Sequence, residues 1–387
     1  MISLSVLQIA EAVRGKVHGD GAVVVSGTVE TDSRLISVGS LFVAKPGEIT
    51  DGHLFAPQAI SAGAVALIVE RVLEGLEVPQ IEVEDSVLAL GSLAAFVLSE
   101  IRKSSDLKVI GVTGSNGKTT TKNMLNAILS TSGETIAPIE SYNNEVGAPY
   151  SILQTSHSTK FLVVELGAGG LGSIEYLTQI AKPDIGVILK VGLAHVGEFG
   201  GIETTAKIKA ELALGMDQDS ILILNADDGY VADMAHLTQA KKIWFGTSSD
   251  AGYRATDQAL TIEGTAFNLH WPDGETSNVK LQILGEHHVM NALAAASVAD
   301  QLGVSRSSIV SALESMPLAE RWRMQVLNRG DGVTIINDAY NASPDSTKAA
   351  LQTLAQLGRS GRRTIAILGE MAELGSSSRQ QHHAIGS

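Results

Sequence analysis

The chain has no cysteine among its 387 residues. That excludes disulfides and thiolate zinc sites, and it fits a reducing compartment. No run of about 18 apolar residues occurs, so no membrane span is expected. The first residues, Met1 to Glu11, lack the basic stretch of a signal peptide and read as an amphipathic helix. Positive charge is scarce as well: Lys and Arg total 28 against 42 Asp and Glu, a formal net charge of -14. Such a balance argues against nucleic acid or an acidic membrane as the main partner. An anionic ligand must then be held by local sites against a repulsive overall field. There are no internal repeats, no low-complexity segments and no Asn-Lys-x-Asp motif of the kind a GTPase switch uses to read its base. These absences leave a cytoplasmic protein of two or three domains, with a 44% hydrophobic content ample for full cores.

What is present centres on Gly111-Val-Thr-Gly-Ser-Asn-Gly-Lys-Thr-Thr-Thr121. An apolar run, Leu107 to Ile110, predicts a buried strand before it. Met124, Leu125, Ile128 and Leu129 fall on one face of a helix after it. A strand, a glycine-rich turn and a helix opening at Gly-Lys-Thr form a phosphate cradle, with backbone N–H groups and the helix N-terminus facing the anion. Gly114, Ser115, Asn116, Gly117, Lys118, Thr119 and Thr120 are the candidate nucleotide contacts. Lys118 is suited to the outer phosphates and the Thr119 hydroxyl to a magnesium ion. The spacing departs from the usual phosphate loop, because Val112 stands where the first glycine is expected.

The chain divides at compositional breaks into residues 1–104, 105–314 and 315–387. The first part predicts a helix over 5–13, short strands near 23–25, 40–44 and 64–69, and a closing helix over 88–101. Its polar segments, Thr31-Asp-Ser-Arg34, Lys45-Pro-Gly-Glu48 and Asp51-Gly-His53, read as turns, or as a small-ligand site in which Arg34 meets a phosphate beside the Ser33 hydroxyl. The second part alternates strands (161–164, 185–189, 221–224, 242–245) with helices, which predicts a mostly parallel sheet covered on both faces. A hairpin is expected around Trp271-Pro-Asp-Gly274, then a small-residue helix over 285–299, with Ser305 capping the next helix and Pro317 a break. The third part predicts a hairpin over 324–337, a helix from Pro344 to Gly358 capped by Ser343, and a strand over 364–368. It opens another α/β unit with too few strands for a complete domain.

Ligands of such sheets gather at the carboxyl ends of the strands. Glu165 directly follows one strand, and a carboxylate across from a phosphate loop suits magnesium. His195 lies in the loop Gly192-Leu-Ala-His-Val-Gly-Glu-Phe-Gly-Gly201, where spacing alone favours an ordinary loop histidine over a metal or phosphate contact. Lys209 is expected near the start of the next helix, and alone it reads as a solvated lysine. Asn143 and Asn144 read as a turn. Asn291 at a helix start faces a base or simply supplies helix-start polarity. These features suggest an ATP-using enzyme whose acceptor is a hydroxyl or a carboxylate; spacing does not choose between them.

A wider set of motifs does. Thr31-Asp-Ser-Arg34, Asp51-Gly-His53, Gly114-Ser-Asn-Gly-Lys-Thr-Thr-Thr121, Tyr142-Asn-Asn-Glu145, Glu165-Leu-Gly-Ala168, Val191-Gly-Leu-Ala-His195, Lys209-Ala-Glu211, Asn291-Ala-Leu-Ala-Ala295, Asp338-Ala-Tyr-Asn-Ala-Ser-Pro-Asp-Ser346 and Gly369-Glu-Met-Ala-Glu-Leu-Gly375 together resemble the Mur ligases of bacterial cell-wall synthesis. Glu165-Leu-Gly-Ala and the Asn-Ala-Ser-Pro-Asp stretch point to the branch that joins D-alanyl-D-alanine to UDP-N-acetylmuramoyl-tripeptide. The resemblance implies a three-domain α/β architecture: an N-terminal domain for the UDP-substrate, a central phosphate-loop domain for ATP, and a C-terminal Rossmann-like domain, cut short here, that closes over the nucleotide. It implies ATP and magnesium as cofactors, a monomer, and attack of the dipeptide amine on an acyl phosphate. It places Lys118, His195 and Lys209 in catalysis, and Thr119, Glu165, His195 and Lys209, the last as a carbon-dioxide-derived carbamate, at magnesium. Asn291 is implied at adenine, Asp338 at ribose and Arg323 near the nucleotide. Ser33, Arg34, Asn143 and Asn144 are implied at the UDP-sugar. His288 and Lys190 depart from the family, each standing where asparagine is frequent. The alternatives are a folylpolyglutamate-synthase-like ligase and a non-catalytic phosphate-loop binding module.

Overall fold

A computed structural model describes the chain apart from residues 48, 49, 139, 140, 195, 317–321, 360 and 387, and apart from the side chains of 196 and 198. His195, Glu48 and Pro317 therefore lie outside the described residues. The rest forms two compact units. The first comprises Met1–Val109, Glu134–Val164 and Gln179–Lys182; the second comprises Ile110–Gly133, Glu165–Thr178 and Pro183–Ser387.

In the first unit the strands Val29–Glu30, Ser40–Val43, Ala64–Val69 and Gln80–Glu82 run parallel in that order, and Lys16–His18 adds antiparallel at the far edge. Phe42, Leu67 and Val69 form its core with Ala56 and Ala59 of the helix Ala56–Ala62. The opening helix, Val6–Val13, starts where Ser5 and Gln8 exchange side-chain and backbone bonds, which satisfies two N–H groups left without partners at a helix start. Asp85 caps the long helix Ser86–Arg102 by accepting from Val87 and Leu88 N–H.

The second unit is built on a mostly parallel sheet. Ile110 to Thr113 pairs with Ile185–Ile188, which pairs with Ile221–Asn225, then Lys241–Gly246, all in parallel register. Ile185–Ile188 and Ile221–Asn225 are almost uninterrupted Val, Ile and Leu because both faces are covered, whereas Lys241–Gly246 is buried only toward its end. Tyr253–Thr261 continues in parallel, and Gly264–His270 and Thr276–Leu281 close the edge as an antiparallel hairpin. The sequence predicts the hairpin but not Tyr253–Thr261, whose polar, bulged run hides its period. The helix His287–Gln301 is buried on almost every side through Ala292, Ala294, Ala295, Ala296 and Ala299. Those small residues allow close approach to the helix Lys118–Leu129 and to the sheet.

Two expectations need correction. Thr364 to Leu368 forms no strand, and its apolar residues face solvent, Ile367 at 95% exposure. A strand is defined by its hydrogen-bonded neighbour, and among the described residues the hairpin Gln325–Asn328 with Thr334–Asn337 pairs only with itself. Lys209 lies in the middle of the helix Ile202–Leu214 rather than near its start, because the helix begins after Gly201. Among the described residues no helix is long and apolar enough to cross a membrane.

Candidate functional site

The phosphate loop leaves the strand Lys108–Thr113 at Gly114 and enters the helix Lys118–Leu129 at Gly117. Gly117 has φ +87°, the left-handed region that favours glycine, and a Cβ there would collide with Asn291 Oδ1. Val112, the apparent departure in spacing, is an interior strand residue, so the loop itself needs only the later glycines. The loop is tied to the strand end beside it. Ser115 N–H donates to Lys190 O (2.8 Å), and Gly192 N–H donates to Ser115 Oγ (2.8 Å). Lys118 Nζ donates to Gly114 O (2.8 Å) and so lies folded across the loop. Desolvation holds its ammonium below the ordinary lysine value; Glu165 opposes that and Arg323 adds to it.

Glu165 ends the strand Phe161–Glu165 and is 2% exposed. Thr119 Oγ1 donates to its Oε2 (3.3 Å), while Lys122 Nζ lies 3.4 Å from its Oε1. Two hard oxygen donors, a hydroxyl and a carboxylate, thus meet beside the loop. Lys209 is 4% exposed, which overturns its reading as a solvated lysine. Burial and, after it, the Lys118 charge lower its pKa to about 7 against the opposing Glu211 carboxylate. Glu211, two residues on, accepts from the backbone N–H groups of Gly172 (2.7 Å), Ile174 (3.0 Å) and Glu175 (3.0 Å). It anchors the turn that follows Glu165. No cluster of three His, Asp or Glu residues able to hold a metal occurs among the described residues.

Beside the loop opens a cleft of about 430 Å³, lined by Gly117, Lys190, Phe245, Asn291 and, from the helix Pro344–Gly358, Gln352 and Gln356. Asn291 is buried, and its Nδ2 donates to His288 Nδ1 (3.4 Å). His288 is buried, its Nε2 finds no hydrogen-bond partner among the described residues, and desolvation, then His287 and Arg323, push its pKa well down. The family departure at 288 is thus a neutral ring behind Asn291. Asp338 Oδ1 accepts from Met324 N–H (3.0 Å); burial raises its pKa, opposed by that bond and by Arg323. The Arg323 guanidinium stacks 4.1 Å over the Tyr340 ring. The other departure, Lys190, pairs loosely with Asp345 (3.9 Å), whose Oδ2 accepts from Leu193 N–H (2.9 Å).

In the first unit Ser33 is buried and donates to Gln58 Oε1 (3.2 Å), whereas Arg34 is exposed and folds back on Asp32. That pairing, together with the Arg34 backbone N–H, lowers the Asp32 pKa to about 2. Asn144 Oδ1 accepts from Val146 N–H (3.3 Å) and Gly147 N–H (2.8 Å) in the turn that leads into the helix Gly147–Leu153, and Asn143 is half-buried beside it. These two segments meet through Glu30, a buried carboxyl that bonds the hydroxyls of Thr28 and Tyr150. His53 has a structural part: its Nδ1 bonds Asp51 (2.6 Å) and its Nε2 accepts from Glu70 N–H (2.9 Å).

Sequence reasoning misses Lys122 and Glu30, and it quotes Glu211 and Asp345 within motifs without giving either a role. A signal existed for Lys122. It shares a face with Leu125 and Leu129, so helical spacing alone puts it in the buried stripe. The others act through backbone groups or distant hydroxyls and leave no pattern.

Three family models match the chain: "Mur ligase family, catalytic domain" over residues 27–97, "Mur ligase middle domain" over 112–299, and "Mur ligase, glutamate ligase domain" over 322–387. A curated relative from Mycobacterium tuberculosis, UDP-N-acetylmuramoyl-tripeptide--D-alanyl-D-alanine ligase, is 42% identical over all of this chain and 81% of its own length. A crystal structure of MurF from Acinetobacter baumannii superposes with a TM-score of 0.91 at 34% identity, covering all of this chain and 83% of that one. MurF from Thermotoga maritima, solved with ADP, gives a TM-score of 0.77 at 29% identity over 93% of this chain and 81% of that one. With its loop, strand-end carboxylate and buried lysine in place and its whole length matched, the chain belongs to the Mur ligase family.

Proposed function

We propose that the chain is an ATP-dependent amide ligase that joins D-alanyl-D-alanine to the terminal carboxylate of UDP-N-acetylmuramoyl-tripeptide in peptidoglycan precursor synthesis. The observation that carries this reading is the half-buried Lys118 folded over the loop beside the buried Thr119, Glu165 and Lys209, in a chain 42% identical along its length to ligases of that name. The proposed division of labour is residues 1–104 for the UDP-substrate, 105–314 for ATP and 315–387 for closing over the nucleotide. A carboxylate oxygen of the tripeptide attacks the γ-phosphorus and ADP leaves. The dipeptide amine then attacks the acyl carbon, loses a proton, and phosphate departs as the amide forms. The protein's part is positioning and charge neutralisation.

Gly114 to Thr120 hold the phosphates, with Lys118 swinging from Gly114 O to the transferred group. Asn291 faces adenine, Asp338 the ribose, and Arg323 the phosphates from the third segment. Thr119 and Glu165 fit magnesium: the ion takes one or two carboxylates and keeps its remaining positions for water and substrate phosphates. Bound there, it neutralises charge on the phosphoryl oxygens. His195 belongs to the same set on motif grounds. For Lys209, burial beside the Lys118 charge favours the neutral amine, the form that adds carbon dioxide and releases a proton to become a carbamate. That exchanges a cation for an oxygen anion beside the metal side. Ser33, Arg34, Asn143 and Asn144 hold the UDP-sugar. The test is incubation with ATP, D-alanyl-D-alanine and UDP-N-acetylmuramoyl-tripeptide, with mass spectrometry of the products. A product heavier by the dipeptide less one water, formed with one ADP, is expected. Product formed instead from a folate and glutamate, or none with either set, overturns the assignment.

A further inference from the structure

Lys122 has no part in the chemistry above, yet it is 1% exposed. An ammonium is costly to desolvate, and an apolar side chain of the same length would fill the space without that cost. Lys122 lies one turn beyond Thr119 on the same helix, and both side chains reach Glu165. They take different oxygens of it. Lys122 Nζ faces Oε1 at 3.4 Å, and the Thr119 hydroxyl bonds Oε2 at 3.3 Å. The carboxylate is therefore oriented, with one oxygen held inward by charge and the other presented on the Thr119 side.

We propose that Lys122 is a positioning residue for the magnesium side of the site, fixing Glu165 so that Oε2 and the Thr119 hydroxyl together face the cation. The inference rests on the reading of Thr119 and Glu165 as magnesium ligands. Partners of this kind set the aim of a ligating group, and their loss typically costs ten- to a hundredfold in metal affinity.

The experiment measures ADP binding to the full chain by calorimetry, in EDTA and in excess magnesium. The quantity read is the gain in affinity that magnesium confers. Wild type shows a gain and Glu165→Gln loses it. Lys122→Met loses about tenfold or more of it, while its affinity in EDTA stays within roughly twofold of wild type, since the purine and loop contacts are intact. A purely structural lysine would lower both affinities alike or neither. If Lys122→Met fails to fold, Lys122→Met/Glu165→Gln removes both buried charges at once. It should melt above whichever single variant is the less stable, because each single change leaves one charge of the pair in the interior. Its magnesium gain should equal that of Glu165→Gln alone. A wild-type or larger gain in Lys122→Met overturns the proposal, and so does a further loss in the double variant beyond Glu165→Gln. If wild type shows no magnesium gain, the metal reading falls and this proposal with it. If only Lys122→Met fails to follow, the metal reading stands.

Discussion

Charge is used differently in the two units. Around the phosphate loop Lys122, Glu165, Lys209 and Glu211 are all buried, and Lys118 is half-buried with its ammonium destabilised. In the first unit Arg34 stands in solvent, paired with Asp32 two residues away. The buried set has exchanged hydration for fixed partners, so its arrangement is ready before phosphates arrive. Arg34 keeps its hydration and its freedom, and it gives up both only when a ligand draws it off Asp32. Changes in the first region should therefore alter the rate of chemistry, and changes in the second should alter binding.

The largest break in that comparison is Lys118→Ala. Turnover should fall by roughly a thousandfold, since the transferred phosphoryl group loses its cation in a water-poor site. The melting temperature should hold or rise, because a destabilised ammonium leaves with the side chain. Steady-state rates and a thermal melt decide it, and near-wild-type turnover would remove the loop from the chemistry.

Lys209 sharpens the point, because it separates stability from activity. Its folded pKa of about 7 lies below the ordinary 10.5. Between those values the unfolded chain binds a proton that the folded chain does not, so stability rises with pH across that window and is least below about 7. Lys209→Met should lack this dependence and should be more stable than wild type at pH 7 by roughly 2–4 kcal/mol. It should nonetheless lose most ligation. Lys209→Arg should be no more active, since a guanidinium forms no carbamate. Full activity in the arginine variant would sink the carbamate. A Lys209→Met variant less stable than wild type at pH 7 would show that the lysine is not a burial cost.

Why the loop was legible and its surroundings were not follows from how each is built. Strand, glycine turn and helix start are consecutive in the chain, so Gly114 to Thr119 can be read as one object. Glu165 was visible because it ends an apolar run. Lys209 was not: its burial depends on what packs around a mid-helix position, and helical spacing alone left it in water. Thr364 to Leu368 failed for a related reason. Its composition suits a strand, but strand formation requires a neighbour that composition does not reveal. Glu211, 36 to 39 residues beyond the N–H groups it caps, is a contact that no local pattern encodes.

On the exposed side of the comparison, Arg34→Ala should raise the KM for the UDP-substrate by roughly tenfold, in the range of one charge-assisted hydrogen bond, and leave kcat nearly unchanged. Added salt should weaken wild-type binding more than it weakens binding by the variant, since an exposed cation is screened. A fall in kcat at unchanged KM would place Arg34 with the chemistry and erase the contrast.

The smallest expected effect lies where the first unit imitates the second. Glu30 is a buried carboxyl between Thr28 and Tyr150, with Asp32 close by. Desolvation raises its pKa above the ordinary 4.5, the Asp32 charge adds to that, and the two hydroxyl bonds oppose it. The folded chain thus holds this proton more tightly than the unfolded chain. Its contribution to stability is fully present below about 4.5 and is lost as pH rises through the folded value. Glu30→Gln keeps an acceptor for both hydroxyls and has no proton to lose. It should match wild type near pH 4 and exceed it near pH 7, because the raised folded pKa makes ionising the wild-type carboxyl a cost there. Melting both proteins across that range decides it. If Glu30→Gln is the less stable at pH 7, the ionised carboxylate is a net asset to the Thr28–Tyr150 contact. The first unit would then hold a buried charge by the same means as the phosphate-loop region.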